Sequence, residues 1–190
     1  HLHYEMRKSD TEEPVNPLLF GFGPSDDIKP VIERLVIYPA DSRTQINGRN
    51  TKLRIQVSGG NGNYYIPPEN EIRISGLAGF GFKSYDLLND SYNKCAVYSI
   101  ELKIDSVTRF RYKMDKFAFS ESRYINSHID YEAYMKEKVY YERTFVLPGN
   151  RLPAYQDVVD RGLFSFTDNS KHKVEIILED AHGNRSALRF

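Results

Sequence analysis

The chain has 190 residues, and its 26 basic and 26 acidic side chains give it a formal net charge of zero. Proteins that hold nucleic acids or anionic membranes through charge need a dense positive surface, so this balance argues against both classes of partner. Hydrophobic residues make up 40% of the chain, which is enough to bury a core. No run of about 18 apolar residues is present, so the sequence predicts no membrane span.

The first seven residues, HLHYEMR, alternate in the manner of a half-buried strand. His1, His3 and Glu5 fall on one face, and apolar side chains occupy the other. On a strand, His1 and His3 would project side by side, about 6.5–7 Å apart along the chain. A catalytic zinc takes about three protein ligands and leaves one position for water. From spacing alone, the two histidines are either part of a metal site or a chance arrangement on the surface.

The next residues, KSDTEEPVNPLLF, predict a turn followed by a short apolar plug. Pro14 and Pro17 should have no ladder partner and should limit any helix to a single turn, because proline lacks the backbone N–H. The following GFGPSDDIKP has the glycine and proline content of a linker, which we place at 23–30. The sequence therefore predicts an N-terminal unit over 1–22 and a larger domain over 31–190.

From Val31 onward the pattern is that of strands. The predicted strands cover 31–39, 51–59, 71–75, 80–88, 95–105, 108–115, 172–180 and 185–190. The short gap between the fifth and sixth of these strands predicts a hairpin, and Gly183-Asn184 predicts another at the end of the chain. Only 125–142 has helical spacing, with Ser127 as the expected N-cap.

The opening HLHYE and the later PVNPLLF closely resemble the last motif of the LytM/lysostaphin-type zinc endopeptidases. In that family, His-Leu-His-(Phe/Tyr)-Glu runs on into Pro-(Val/Ile)-(Asn/Asp)-Pro-Leu. The matching residues here, besides the two histidines, are Leu2, Tyr4, Glu5, Pro14, Val15, Asn16, Pro17 and Leu18. The resemblance covers residues 1 to about 20. It implies that His3 is a zinc ligand and that His1 is the catalytic histidine, acting on the zinc-bound water during hydrolysis of peptide bonds in peptidoglycan.

The family takes its other two zinc ligands from an upstream His-x-x-x-Asp motif, and none of the five histidines here has Asp four residues later. The resemblance therefore implies that 1–22 is the C-terminal remnant of a peptidase domain whose complete Zn²⁺ site belongs to a longer parent protein. We expect this chain alone to be inactive and to bind no Zn²⁺ at that site. The implied location is the bacterial cell envelope, either periplasmic or secreted. The implied partners are peptidoglycan peptides, together with another envelope protein or the peptidase's own N-terminal part.

The end of the chain, VEIILEDAHGNRSALRF, is similar to the last hairpin of bacterial immunoglobulin-like or fibronectin-like modules. Such modules often close with an Asp-x-x-Gly-Asn turn, matched here by Asp180, Gly183 and Asn184. The expected fold class is all-β, an immunoglobulin- or fibronectin-like β-sandwich with one helical insertion, preceded by the last strand of a truncated, β-rich peptidase domain. This β-domain would position or regulate the peptidase. The alternatives are a non-catalytic LytM-like scaffold and a wall- or carbohydrate-binding module.

The remaining candidate residues have structural interpretations. Cys95 lies in an apolar, strand-like run, so we expect a buried and unreactive thiol. His128 and Glu132 are four residues apart and are expected to form a solvated pair on one helix face. His172 and His182 are expected to be exposed.

Overall fold

The computed structural model describes residues 5–190. Strands make up 40% of the structure and helices 13%, so the predicted all-β fold class is confirmed. The strands are β1 (Met6–Arg7), β2 (Pro14–Val15), β3 (Val31–Pro39), β4 (Gln45–Ile46), β5 (Leu53–Gln56), β6 (Ser58–Gly60), β7 (Asn63–Tyr65), β8 (Ile74–Tyr85), β9 (Ser99–Ile104), β10 (Val107–Lys113), β11 (Glu142–Arg143), β12 (Tyr155–Val158), β13 (Phe164–Phe166), β14 (Val174–Glu179) and β15 (Arg185–Arg189). The helices are α1 (Ile125–His128), α2 (Tyr131–Glu137) and short 3₁₀ helices at Pro17–Phe20, Phe119–Tyr124 and Asp160–Gly162. Within the described range, no helix has the length and apolar character that crossing a membrane requires.

Two large sheets share one hydrophobic core. The first has the strand order β12-β10-β9-β14-β15-β7-β6 and is antiparallel except for the parallel pair β15–β7. The second has the order β11-β8-β3-β5, with β4 and β13 also pairing with β8. The fully buried members of the shared core include Leu35, Ile37, Phe80, Phe82, Ile100, Leu102, Phe110, Ile176, Leu178 and Leu188. Because these side chains come from both sheets, removing them from water holds the sheets together.

The burial pattern of β3 shows where the helical insertion, which contains α1 and α2, lies. Strands β9 and β14 alternate between buried and partly buried positions, whereas β3 is buried on both faces. Leu35 and Ile37 face the shared core, and Val36 and Tyr38 belong to a second cluster that includes Ala133 of α2. The insertion therefore covers the outer face of the β3 sheet.

The prediction of one continuous helix over 125–142 is wrong. Ile129 is extended, with φ −86° and ψ 161°, and it separates α1 from α2. The Asp130 carboxylate accepts a hydrogen bond from the Ala133 backbone N–H at 3.3 Å. Asp130, rather than Ser127, is therefore the side chain that caps the longer helix.

Both predicted hairpins are confirmed as β9–β10 and β14–β15, and the predicted strand over 31–39 coincides with β3. The two strands predicted over 71–75 and 80–88 are instead one strand, β8. Two glycines of β8 lie where a side chain would clash, because a Cβ at Gly79 would lie 2.5 Å from the Phe145 ring and one at Gly81 would lie 2.7 Å from a backbone oxygen. Glycine at these positions lets neighbouring segments approach the strand closely.

The insertion is attached by a buried charge to Lys52, the residue before β5. The Asp130 side chain is fully buried and accepts hydrogen bonds from Lys52 Nζ at 3.0 and 3.3 Å, with Arg143 Nη2 at 3.5 Å. These cations hold the pKa of Asp130 below its usual value despite the burial of the carboxyl group. On the exposed side of the same insertion, Arg54 forms a bidentate pair with Glu137 at 2.8 and 2.9 Å.

We expect the Asp130→Ala substitution to lower the free energy of unfolding by about 3 kcal/mol, because it leaves Lys52 and Arg143 without their buried counter-charge. Urea unfolding followed by circular dichroism measures this change. The matched control is Glu137→Ala, which breaks an exposed pair and should cost about 1 kcal/mol or less. Equal losses in the two variants would contradict the role given to the buried carboxylate.

Candidate functional site

His1 and His3, the predicted catalytic residue and zinc ligand, lie outside the described residues, so their roles stay predictions. The first strand in the described residues is β1, which pairs antiparallel with β2. Arg7 lies opposite Pro14, so the prediction that Pro14 has no ladder partner is wrong. A two-residue strand tolerates proline because the residue still offers its carbonyl group, and the Phe117 N–H donates to the Pro14 carbonyl at 3.0 Å.

Strand β2 is also joined to the chain that follows β10. The Asn16 N–H donates to the Asp115 carbonyl at 3.1 Å, and Val15 forms a bridge with Lys116. Lys116 Nζ lies 2.8 Å from a carboxylate oxygen of Glu13. The strand that continues the His-x-His motif is therefore connected to the large sheets through one intermediate strand.

The Pro-Val-Asn-Pro-Leu pattern has a local structural role here. Asn16 Oδ1 accepts a hydrogen bond from the Leu18 N–H at 3.1 Å and caps the short helix Pro17–Phe20. Pro17 occupies the first helical position, where its missing N–H costs nothing. Gly21 ends the helix at φ 74°, so the predicted single turn is confirmed.

A cavity of about 390 Å³ lies between this N-terminal segment and the sheet that contains β9 and β10. Its apolar lining includes Val15, Leu18, Val97 and Met114, and Asp86 lies on its wall. The cavity therefore extends from this N-terminal segment, which we call the docked segment, toward a group of acidic residues.

The segment predicted as a linker makes specific polar contacts. Asp26 Oδ1 accepts hydrogen bonds from the N–H groups of Ile28 and Asn89, each at 3.2 Å. Asn184 Nδ2 donates to the Asp26 carbonyl at 3.1 Å, and the Ser186 hydroxyl donates to the carbonyl of Pro30. Two loops of the β-rich part thus hold residues 26–30.

These contacts bring together an acidic cluster, which we define as Asp26, Asp86, Asp180 and His182. Ligand atoms of Asp26, Asp180 and His182 all lie within 4.8 Å of one another. Asp180 Oδ1 accepts from the N–H groups of His182 and Asn184, each at 2.8 Å, and Asp180 Oδ2 accepts from the Asn184 amide at 2.7 Å. These bonds fix the Asp180 carboxylate at the start of the β14–β15 turn.

Asp86 adds a third carboxylate that is unfavourable to ionise. Only 5% of Asp86 is exposed, and burial, with the charges of Asp180 and Asp26, raises its pKa to about 7. The Leu87 N–H and His182 act in the opposite direction. Within the described range, Asp86 Oδ1 and Asp26 Oδ2 are buried without a hydrogen-bond partner. Such a group of residues can share a proton or bind a cation.

The structure corrects the expectation for Cys95, which is exposed rather than buried. Its backbone pairs with Asp86 beside the acidic cluster. The pKa of the thiol is raised, first by partial burial of the sulfur and then by the charges of Asp86 and Asp26. This shift favours the thiol over the nucleophilic thiolate.

The predicted pair of His128 and Glu132 is not formed. His128 ends α1 and is only 1% exposed, and its ring stacks on Tyr112 with centroids 4.5 Å apart. Glu132 belongs to α2 and forms ion pairs with Lys52 at 3.0 Å and Lys136 at 2.7 Å. His128 is therefore a core residue and not half of a solvated pair.

The exposure predicted for the last two histidines is only partly right. The His172 side chain is 11% exposed and contacts Asp105 at 2.7 Å and Asp168 at 3.0 Å. Both carboxylates raise the pKa of His172. His182 lies in an exposed turn as expected, but its ring faces the acidic cluster with a 20% exposed side chain.

Sequence reasoning assigned no role to Asp26 or Asp86. The Asp-x-x-Gly-Asn turn singles out Asp180 in the sequence, but it predicts a hairpin and not a binding role. Comparisons of the chain with protein families, with curated proteins and with solved structures found no match. The class of protein is therefore assigned from the fold and the site alone. It is an all-β protein with a docked N-terminal segment beside an acidic cluster.

We expect the Asp86→Asn variant to be more stable than the parent chain by about 2 kcal/mol at pH 8 in EDTA. The folded-state pKa of Asp86 lies above its unfolded value, so folding retains a proton that unfolding releases. The free energy of unfolding should therefore fall as pH rises from about 4 to 7 in the parent, and this part of the fall should be absent in the variant.

Urea unfolding of both proteins at pH 5 and pH 8 measures the difference. Asp27→Asn is the matched control, because Asp27 is exposed and adjacent to the cluster. Identical pH dependence in the parent and in Asp86→Asn would contradict the proton shift at this carboxyl group.

Proposed function

We propose that the chain is the C-terminal part of a cell-envelope zinc endopeptidase that hydrolyses peptide bonds in peptidoglycan, with the β-rich part positioning or regulating the peptidase. The HLHYE motif and its PVNPL continuation support the activity. The observation that carries the positioning role is the main-chain pairing of β1 with β2 and of β2 with residues 115–117.

In this proposal His3 is a zinc ligand and His1 is the catalytic histidine. His3 supplies one of the roughly three protein ligands of a catalytic zinc, so in this proposal the other ligands come from residues upstream of His1. Zinc would polarise the scissile carbonyl and lower the pKa of a bound water toward about 7. The chain's own contribution is to orient His3 and to place His1 where it can accept or donate a proton.

The docked segment offers a surface for the rest of such a peptidase domain. Leu19 is 38% exposed and Phe20 is 54% exposed, and both belong to the short helix that follows the motif. Phe119, which is 62% exposed, follows residues 115–117 in the chain. Leu19 and Phe20 are adjacent in the chain, and contiguous exposed apolar side chains are typical of a surface that another part of a protein covers.

We further propose that the β-rich part is an immunoglobulin-like sandwich. The sheet order β10-β9-β14-β15 corresponds to C′-C-F-G of that fold, and β3-β8-β13 corresponds to A-B-E. The parallel pairing of β7 with the last strand is compatible with a first strand that crosses between the sheets. The extra strand β5 beside β3 and the helical insertion are additions to this pattern.

The test uses the complete parent protein, with the residues upstream of His1 included, and purified peptidoglycan as substrate. We expect His3→Ala to lose both bound zinc and hydrolysis. We expect His1→Ala to retain zinc while its turnover falls by about a hundredfold or more, the usual range for loss of an acid–base group. His172→Ala serves as the control, because it removes an imidazole from another part of the chain.

Release of soluble peptides and the zinc content per protein are measured for each variant. Unchanged zinc and hydrolysis in His3→Ala would refute the proposed ligand. A parent protein that binds zinc through His3 without cleaving peptidoglycan would favour the non-catalytic scaffold instead.

A further inference from the structure

We propose that Asp26, Asp180 and His182 bind a divalent transition-metal cation, of the Zn²⁺ or Mn²⁺ type, that fastens the 23–30 segment to the β14–β15 turn. This site is separate from the predicted histidine pair at the start of the chain. It does not depend on the proposed peptidase function.

The first argument is geometric. Asp26 lies in the segment before β3, whereas Asp180 and His182 lie in the last turn of the chain. Their ligand atoms lie within 4.8 Å of one another, and His182 Nδ1 is 3.8 Å from Asp26 Oδ2. Ligands about 2.0–2.2 Å from one metal ion are separated by such distances after small side-chain movements.

The second argument is the state of the Asp26 carboxylate. Its side chain is fully buried, and Asp26 Oδ1 is oriented by the backbone N–H groups of Ile28 and Asn89. Asp26 Oδ2 is buried without a hydrogen-bond partner in the described part of the chain. Burying an ionised oxygen without a partner is costly, and a cation bound to this oxygen would remove that cost.

The third argument is that the surrounding polar groups orient the ligands. The N–H groups of His182 and Asn184 hold Oδ1 of the Asp180 carboxylate and the Asn184 side chain holds Oδ2, so a lone pair on Oδ2 remains for a metal. The carboxylate of Asp86 adds negative charge beside the site, and its Oδ1 is likewise buried without a hydrogen-bond partner. Outer groups that hold ligand carboxylates in this way are a regular feature of metal sites.

The ligand set selects the class of cation. Calcium and magnesium favour oxygen ligands, whereas an imidazole nitrogen suits zinc and other transition metals. Two carboxylates with one imidazole therefore favour Zn²⁺ or Mn²⁺ over Ca²⁺. A cation here would link residues that lie at opposite ends of the chain and would hold the N-terminal segment on the β-rich part.

The test is thermal unfolding of the 190-residue chain after EDTA treatment and removal of the chelator, with Zn²⁺, Mn²⁺ or Ca²⁺ added. The His1→Ala/His3→Ala double variant serves as background, so that the N-terminal imidazoles contribute nothing. At about a hundredfold excess over Kd, we expect Zn²⁺ or Mn²⁺ to raise Tm by about 5 °C or more, and Ca²⁺ to raise it less. Asp26→Asn in this background should abolish the shift, whereas Asp27→Asn should retain it.

A second measurement needs no substitution at the site. Mn²⁺ is paramagnetic, so it should selectively broaden the amide resonances of Ile28, Asn89 and Asn184 in the double variant. The proposal is overturned if neither Zn²⁺ nor Mn²⁺ shifts Tm, if the shift persists in Asp26→Asn, or if broadening is absent at these three amides. A Ca²⁺ shift as large as that of Zn²⁺ and Mn²⁺ and unaffected by His182→Ala would overturn the proposed ligand set.

Discussion

Main-chain hydrogen bonds between β2 and residues 115–117 determine how the start of the chain relates to the two sheets. Backbone bonds of this kind specify register and direction as well as proximity, so the segment has one docking arrangement. The short helix Pro17–Phe20 and the cavity lined by Leu18 follow from that arrangement. The described strand that follows the predicted histidines in the chain is β1, and its attachment to the sheets passes through these bonds.

The acidic cluster is the second point of attachment, and it differs from the first in its energetics. Backbone pairing is satisfied within the protein, whereas the carboxylates of Asp26, Asp86 and Asp180 repel one another in a buried setting. Like charges in a low-dielectric environment destabilise a fold unless a proton or a cation neutralises them. The stability of the N-terminal segment should therefore respond to solution conditions in a way that the core between the sheets does not.

The sequence was informative wherever local pattern decides structure. The strand β3 and the hairpins β9–β10 and β14–β15 were predicted because alternating side chains and tight turns are local signals. The merging of two predicted strands into β8 was not predictable, because it depends on Phe145 and other residues that approach Gly79 and Gly81 from distant parts of the chain. The break at Ile129 likewise lies beside a contact between Asp130 and Lys52, two residues that are 78 positions apart.

The candidate site was less predictable than the fold, since its residues converge only in three dimensions. Asn184 and Asp26 are joined by a hydrogen bond although they are 158 positions apart. A composition rich in glycine and proline suggested a linker at 23–30, yet its polar side chains make the contacts that hold it. The motif that contains His1 and His3 was readable from sequence alone, and its roles remain predictions.

Amide hydrogen exchange at Asn16 and Phe117 tests the central claim, that the N-terminal segment is docked on the β-rich part by backbone pairing. Both N–H groups donate across this contact. We expect each to exchange at least about a thousandfold more slowly than in an unstructured peptide, because exchange requires the segment to detach. Exchange of both amides at the rate of an unstructured peptide, while the amides of β9 stay protected, would contradict the account.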